Sequence, residues 1–367
     1  DHVGRLGGDE FLVIAEPIGG AYEAVHLGER LIRAVSDPMT IDNTTVQVGA
    51  SVGIAMSGDG ADAATLLRDA DIAVYHAKDH GRGRVELCDE RLRTSVFRRA
   101  ALEQSLSRAL LGDEFDIHYQ PIVRAGTGQT IEMEALIRWR RPGRGLVTPG
   151  DFIEAAERTD LIVEIDQWVV ERVARQLAAW SERPELADIA VAVNVSARFL
   201  DTADFEERLM TPLRRHGIDP SRLLVEVTEG SVLRDLAEAA RKLAFLRTQG
   251  IRIAIDDFGT GYTSLAHLRT LPLDRLKLDG SFTSDALTDI QERTLIKLII
   301  DTGHLLGLEI TAEGIETEEQ AGLLRRLGAD TLQGYFFGRP APADAHDTDS
   351  TQASDPTNLV ATTPSGP

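Results

Sequence analysis

From residue 112 to residue 343 the chain alternates short apolar runs with longer stretches whose apolar positions recur at helical spacing. Eight runs read as strands: Phe115–Val123, Thr130–Trp139, Ile189–Ser196, Leu223–Glu229, Ile251–Asp257, Arg275–Asp279, Leu308–Gly314 and Thr331–Phe336. Amphipathic helices are predicted over Asp166–Ser181, Leu236–Gln249, Asp289–Leu306 and Thr317–Leu327. Strand and helix in alternation favour a parallel sheet covered by helices, and eight strands is the count of a (β/α)8 TIM-like barrel, an α/β fold. The N-terminal stretch is patterned differently. A charged, glycine-rich turn leads straight into an apolar run at Phe11–Ile14, and helical patterning at Ala21–Ser36 and Ala61–Asp79 flanks an alternating strand at Thr45–Ala55. This reads as an α+β segment that begins inside a domain. Leu92, Val96, Ala100, Leu106 and Leu110 then mark one helix over Glu90–Leu111. The expected organisation is an incomplete α+β domain over 1–90, a connecting helix over 91–111, a barrel over 112–343 and a disordered tail over 344–367, which has acids but no Lys or Arg.

A net charge of -20 over 367 residues argues against a general DNA or RNA binder, because phosphate contacts need clustered basic side chains. A phosphate-bearing substrate would need metal ions here. The single cysteine, Cys88, excludes an intramolecular disulfide and any Cys-based zinc site, and fits a reducing, cytoplasmic compartment. No apolar run approaches the ~20 residues that span a bilayer, so no membrane segment is expected in this chain, and any tether would lie upstream.

The candidate chemistry sits where the strands end. Glu134, Asn194, Glu226, Glu229, Asp256, Asp257, Lys277, Asp279 and Glu313 each fall at or near the C-terminal end of a predicted strand. In a barrel that rim carries the active site, so positions spread widely along the chain would converge. One acid at a strand end ordinarily serves a helix N-terminus. Five or six carboxylates on one rim would repel one another unless cations neutralised them, and oxygen ligands from Asp, Glu and Asn suit Mg²⁺ or Mn²⁺. A pair of such ions can stabilise both the attacking and the leaving oxygen of an in-line displacement at phosphorus. The adjacent acids Asp256 and Asp257 can meet one cluster only if the chain turns, because neighbours on a strand point to opposite faces; Gly259 and Gly261 are expected to supply that freedom.

EALIRW at Glu134–Trp139 resembles the signature of EAL-type cyclic di-GMP phosphodiesterases. Motifs similar to others of that family follow in order: YQPIV (Tyr119–Val123), NVS (Asn194–Ser196), EVTE (Glu226–Glu229), DDFGTGYTSL (Asp256–Leu265), KLD (Lys277–Asp279), AEGIE (Ala312–Glu316) and QGYFFGRP (Gln333–Pro340). The resemblance implies that Glu134, Asn194, Glu226 and Asp256 ligate one metal ion and that Asp256, Asp257 and Glu313 serve a second. It makes Lys277 the residue that holds the nucleophilic water and Glu313 the general base. Thr228 and Glu229 would brace the loop carrying Gly259 and Gly261, with a helix N-cap as the plainer role for Glu229. Gln120, Arg138 and Gln333 would bind substrate, although Arg138 could instead pair with a structural acid. Departures from the family pattern are small, Gly280 after KLD among them.

Residues 1–90 resemble the C-terminal part of a GGDEF diguanylate cyclase domain, through GGDEF (Gly7–Phe11), ASVGIA (Ala50–Ala55) and LLRDADIAVYHAKDHGRGRV (Leu66–Val85). The resemblance implies that Gly7 and Gly8 approach nucleotide, that Asp9 and Glu10 serve metal and nucleotide, and that Lys78 and Arg82 face phosphates unless they simply end a solvated helix. Cyclase activity is not expected, because the family's opening strand and helices do not precede Asp1. The leading expectation is metal-dependent hydrolysis of cyclic di-GMP to linear pGpG in bacterial second-messenger signalling, by a homodimer paired through the EAL domain with Asp289–Leu306 a candidate surface. The alternatives are an inactive cyclic di-GMP receptor and a phosphodiesterase regulated by GTP at the GGDEF segment.

Overall fold

The computed structural model describes residues 1–58, 61–258 and 268–347. Two compact units divide the chain, one over residues 1–104 and the other from Ser105 onward. In the first unit β1 (His2–Gly7) and β2 (Glu10–Ile14) form an antiparallel hairpin, followed by α1 (Ala21–Ser36) and a second hairpin, β3 (Met39–Ile41) with β4 (Thr44–Val46). The strand expected over Thr45–Ala55 is therefore broken: β4 ends at Val46, and β5 (Val52–Ile54) pairs in parallel with β6 (Val85–Leu87) instead. Between them runs α2 (Ala63–Asp79), its first turn capped by Asp62, which accepts from Thr65 N. The helix α3 spans Glu90–Leu111. Its first turns pack Leu92 and Val96 against Ala73 and Cys88, and Arg93 donates to the buried Asp69 at 2.6 Å.

The second unit is an eight-stranded closed barrel with helices. Its strands are β7 (Phe115–Arg124), β8 (Thr130–Arg141), β10 (Ala190–Val195), β11 (Leu223–Thr228), β12 (Arg252–Phe258), β13 (Arg275–Leu278), β14 (Glu309–Ala312) and β15 (Thr331–Gln333), with short β9 (Gly145–Val147) and β16 (Ala341–Pro342) at the rim. From β8 round to β15 neighbours are parallel. Closure is made by β7, which runs antiparallel to both β8 and β15. That corrects the all-parallel expectation, and the physical reason is the connection: five residues separate β7 from β8, enough for a hairpin but too few for the crossover that parallel strands need.

The helices of this unit are α4 (Ile153–Glu157), α5 (Leu161–Ser181), α6 (Ala197–Asp201), α7 (Phe205–His216), α8 (Glu229–Val232), α9 (Leu236–Thr248), α10 (Gly280–Asp285), α11 (Ile290–Leu305) and α12 (Glu318–Leu327). Each long one presents an apolar stripe to the barrel; α5 buries Ile162, Val169, Val173 and Leu177 on one face. Asp235 and Asp289 cap α9 and α11, and Thr317 with Gln320 closes a capping box on α12. Outward-facing Leu223, Val225 and Val227 of β11 are fully buried, as expected of a strand covered on both faces. No helix among the described residues is long and apolar enough to cross a membrane. Ala343–Asp347, at the start of the expected tail, forms a 3-10 turn, and His346 contacts the Tyr119 carbonyl at 2.9 Å. The rest of that tail, from residue 348, lies outside the described residues.

Side chains facing the barrel interior are stratified. Near the start of the strands, Glu132 and Arg275, each 1% exposed, are joined at 2.6 Å, with Arg252 and Glu309 completing the network. Above them Ala192, Leu224 and Ala254 form a wholly buried apolar cluster. Two residues further along the same strands come Asn194, Glu226 and Asp256. Glu134 and Lys277 likewise follow Glu132 and Arg275 by two.

Candidate active site

The predicted acids converge, and their centre is Lys277. Its Nζ lies 2.6 Å from Glu313 Oε1, 2.8 Å from Glu226 Oε2, 3.3 Å from Asp256 Oδ1 and 3.8 Å from Glu134 Oε2. The ammonium is 1% exposed. Four strands and the turn after β14 thus supply one cluster. Glu134 does not end its strand, since β8 continues to Arg141, but it stands opposite Ala192, one residue before the parallel pairing with β10 stops at Ala135 and Val193. Asn194 Nδ2 donates to Glu134 Oε1 at 2.7 Å, and Gln333 Nε2 donates to Glu134 Oε2 at 2.5 Å and to Gln120 Oε1 at 3.2 Å. Gln120 in turn donates to the Gly338 carbonyl at 3.1 Å. The two glutamines expected to bind substrate therefore sit in one hydrogen-bonded row with a cluster acid.

The turn after β14 is held tightly. Thr283 Oγ1 donates to the Glu313 carbonyl at 2.8 Å. A β-carbon on Gly314 would come within 2.6 Å of the Gly280 backbone, so the departure at Gly280 and its partner glycine let the loops after β13 and β14 touch.

Asp257 occupies a special backbone position. Its φ is 54°, in the left-handed region, and the β12–β13 register shifts between Ile255 and Phe258. The turn that separates the two neighbouring acids is thus made at Asp257 itself, a residue type that tolerates this conformation. Gly259 and Gly261, expected to supply it, lie outside the described residues. Asp257 is exposed and donates its backbone N–H to Asp256 Oδ1 at 3.0 Å.

Thr228 caps α8 by accepting from Ser231 N at 3.3 Å, so the N-cap role considered for Glu229 belongs to its neighbour. Glu229 is 6% exposed, and neither carboxylate oxygen has a hydrogen-bond partner among the described residues. Arg138 is 9% exposed and donates to the Ile137 carbonyl. No carboxylate pairs with it among the described residues; Asp116, its cross-strand neighbour, takes Arg140 instead. In the first unit Gly7, Gly8, Asp9 and Glu10 form the exposed β1–β2 turn, where Gly8 has φ 53°. Lys78 and Arg82 are exposed at and just beyond the end of α2.

One ammonium cannot neutralise four carboxylates, and the titration of the cluster reflects it. Burial pushes Glu226 well above the carboxylate range, Lys277 opposes this, and Glu134, Asp256 and Glu313 add to it. Burial raises Glu313 to about 8, again against Lys277. For Lys277 burial disfavours the charge, but the four acids outweigh it and hold the ammonium protonated. Partial desolvation and the charges of Asp256 and Asp279 raise Asp257. A carboxyl raised on folding stabilises the fold fully below its unfolded pKa and loses that contribution as pH rises through the folded one. In EDTA, melting temperature should accordingly fall as pH increases from about 4.5 to 8, the two limits for Glu313. Saturating Mn²⁺ should flatten the fall, because a cation favours the ionised acids. Thermal scans of wild type and Glu313→Gln check this; an equally steep fall in the variant would mean that Glu313 does not carry the shift.

No group of three or more His, Cys, Asp or Glu side chains among the described residues is arranged to hold a metal ion; the acids close on Lys277. The donor chemistry nevertheless suits one. Every candidate ligand atom is a hard oxygen, and Glu226 Oε1 is buried with no hydrogen-bond partner among the described residues, an arrangement that a buried acid rarely keeps without a ligand. Cation binding would require the acids to turn part of their charge from the ammonium to the ion.

Two features were not anticipated from the sequence. Asp166 is a buried acid on α5, 7% exposed, that accepts twice from Ser196 in the NVS motif. The signal was present, because Asp166 interrupts the apolar stripe of Ile162, Val169 and Val173. The Glu132–Arg275 pair was foreshadowed only by charged residues two positions before Glu134 and Lys277.

Residues 103–340 match the EAL domain family, and residues 1–84 match the family described as diguanylate cyclase, GGDEF domain. The chain is 40% identical over 345 residues to the bifunctional diguanylate cyclase/cyclic di-GMP phosphodiesterase MucR of Pseudomonas aeruginosa, covering 94% of this chain and 50% of that protein. It is 36% identical over 350 residues to the cyclic di-GMP phosphodiesterase NbdA of the same organism, covering 94% of this chain and 44% of NbdA. The chain thus spans half or less of these relatives' length. Among solved structures, the PaMucR phosphodiesterase in complex with cyclic di-GMP is 41% identical with a TM-score of 0.65, covering 67% of this chain and 99% of that one.

Proposed function

Because the chain belongs to the EAL domain family, with a GGDEF segment ahead of the barrel, we propose that it hydrolyses cyclic di-GMP to linear pGpG. The observation that carries this reading is the closure of four carboxylates on one buried lysine, Lys277, one of them Glu134 on β8, the strand that also holds Arg138, a buried arginine with no carboxylate partner among the described residues. Glu134, Asn194, Glu226 and Asp256 would hold one Mg²⁺ or Mn²⁺, and Asp256, Asp257 and Glu313 a second. Such ions, when bound, supply charge neutralisation and a lowered water pKa. Arg138 offers a guanidinium to a substrate phosphate oxygen, while Gln120 and Gln333 present amide groups suited to a guanine edge. Lys277 holds the attacking water beside the cluster, and Glu313 accepts its proton as the new oxygen–phosphorus bond forms. The 3′-oxygen then leaves and takes up a proton, giving the linear dinucleotide. Glu229 is buried with no hydrogen-bond partner among the described residues, which supports the bracing role expected for it with Thr228.

Incubating the purified chain with cyclic di-GMP and Mg²⁺ or Mn²⁺ and resolving products by chromatography tests the proposal. Formation of pGpG is expected. Binding without cleavage would favour the receptor alternative.

The proposal includes a homodimer through α11. Ile296 and Ile300 are fully buried against the barrel, whereas Leu295, Leu298 and Leu305 are 41%, 62% and 87% exposed and lie on its outer side. Leu298→Glu should shift sedimentation from dimer to monomer. A wild-type chain that sediments as monomer at micromolar concentration with full activity would end this part of the reading.

A further inference from the structure

Asn194 is the neutral member of the proposed cation-holding set, and a carboxamide turned over offers an NH₂ where a cation needs oxygen. Its Nδ2 donates to Glu134 Oε1 at 2.7 Å, which leaves Oδ1 as the ligand atom. What holds the backbone that aims it lies two residues on. Ser196 donates its N–H at 3.0 Å and its hydroxyl at 2.5 Å to one oxygen, Asp166 Oδ2. With its own proton so committed, Ser196 Oγ accepts from Phe199 N at 3.2 Å and caps α6. Between the two, Val195 is 5% exposed and packed, so a shift of Ser196 passes along the strand end rather than being absorbed. Asp166 itself is 7% exposed among the apolar residues of α5. Desolvating a carboxylate merely to cap the five-residue helix α6 would be a costly arrangement, since the serine hydroxyl already caps it.

We propose that Asp166 is a positioning residue for cation binding: by fixing Ser196 it sets the orientation of the Asn194 carboxamide. The inference rests on the metal reading above. Groups that support a ligand without touching the ion commonly change affinity by ~10–100-fold when removed.

Calorimetric titration of Mn²⁺ into the substrate-free chain provides the test, using wild type, Asp166→Ala, Asn194→Ala and the double variant. Asp166→Ala should weaken Mn²⁺ binding about tenfold, and should add nothing in the Asn194→Ala background. Turnover of Asp166→Ala should recover at saturating Mn²⁺, and Asp166→Asn, whose amide oxygen still accepts from Ser196, should retain more affinity. Ser196→Ala approaches the same contact from the other side and should show the same non-additivity, which keeps the test alive if Asp166→Ala does not fold. Effects that add in full, or wild-type affinity in a folded Asp166→Ala, would overturn the proposal. A wild-type chain that binds no Mn²⁺ would instead remove the metal reading, and this inference with it.

Discussion

Lys277→Met is expected to destabilise the cation-free protein by about 3–5 kcal/mol, the range seen when one partner of a buried ion pair is removed. It should also leave turnover about a hundredfold or more below wild type at saturating Mg²⁺. The side chain is nearly isosteric, so the change removes charge rather than volume. In EDTA the carboxyls of Glu134, Glu226, Asp256 and Glu313 then have no counter-charge and must take up protons or separate. Adding Mn²⁺ should narrow the gap in melting temperature between variant and wild type, because cations supply the missing positive charge. Turnover should not recover with it, since holding the attacking water needs a donor at the position of Nζ. The two readouts separate the roles. Equal melting temperatures in EDTA would show that the ammonium is not the acids' counter-charge, and metal-restored turnover would reduce Lys277 to electrostatics alone.

Asp257→Asn should lower turnover at limiting Mg²⁺ by more than the ~10–100-fold expected for a group that only supports a ligand, while the dissociation constant for cyclic di-GMP stays near the wild-type value. Asparagine is chosen for a backbone reason. At φ 54° it is among the few residues that adopt the left-handed region readily, so the turn that separates Asp256 from its neighbour survives. Asp257→Val would break that turn and disturb Asp256 as well. The binding contacts proposed for Arg138, Gln120 and Gln333 lie on β7, β8 and β15, away from this turn. Kinetics against Mg²⁺ concentration and a separate ligand titration check it; near-normal turnover at limiting Mg²⁺ would show that Asp257 holds no ion.

Much of the barrel was legible because strands buried on both faces appear as uninterrupted apolar runs, and acids that end them stand out. The eight runs all became barrel strands, and α11 differs from its sequence-based bounds by one residue at each end, Asp289 serving as its N-cap. Direction was not legible. An apolar run looks the same in either sense, so the reversal of β7 had to be inferred from a five-residue connection that the pattern alone did not mark as a hairpin. Thr45–Ala55 failed for a related reason: alternation persists through residues that change partners from β4 to β5, and pairing is a tertiary property. Within the site, residue types at strand ends were informative, and the left-handed backbone at Asp257 was not anticipated. Asp166 escaped notice because the helix was expected to begin there, whereas α5 begins at Leu161 and carries Asp166 on the same buried stripe as Ile162.

The layering of the barrel interior governs traffic. Beneath the acids, Ala192, Leu224 and Ala254 form an apolar floor, and below that lies the buried Glu132–Arg275 ion pair. The chamber therefore has a single door. Water and any substrate or product would then use the mouth at the strand ends. On the proposed hydrolysis, a linear product still carrying both guanines and both phosphates would leave by the route its successor needs, and would obstruct the next cycle until it had cleared the doorway.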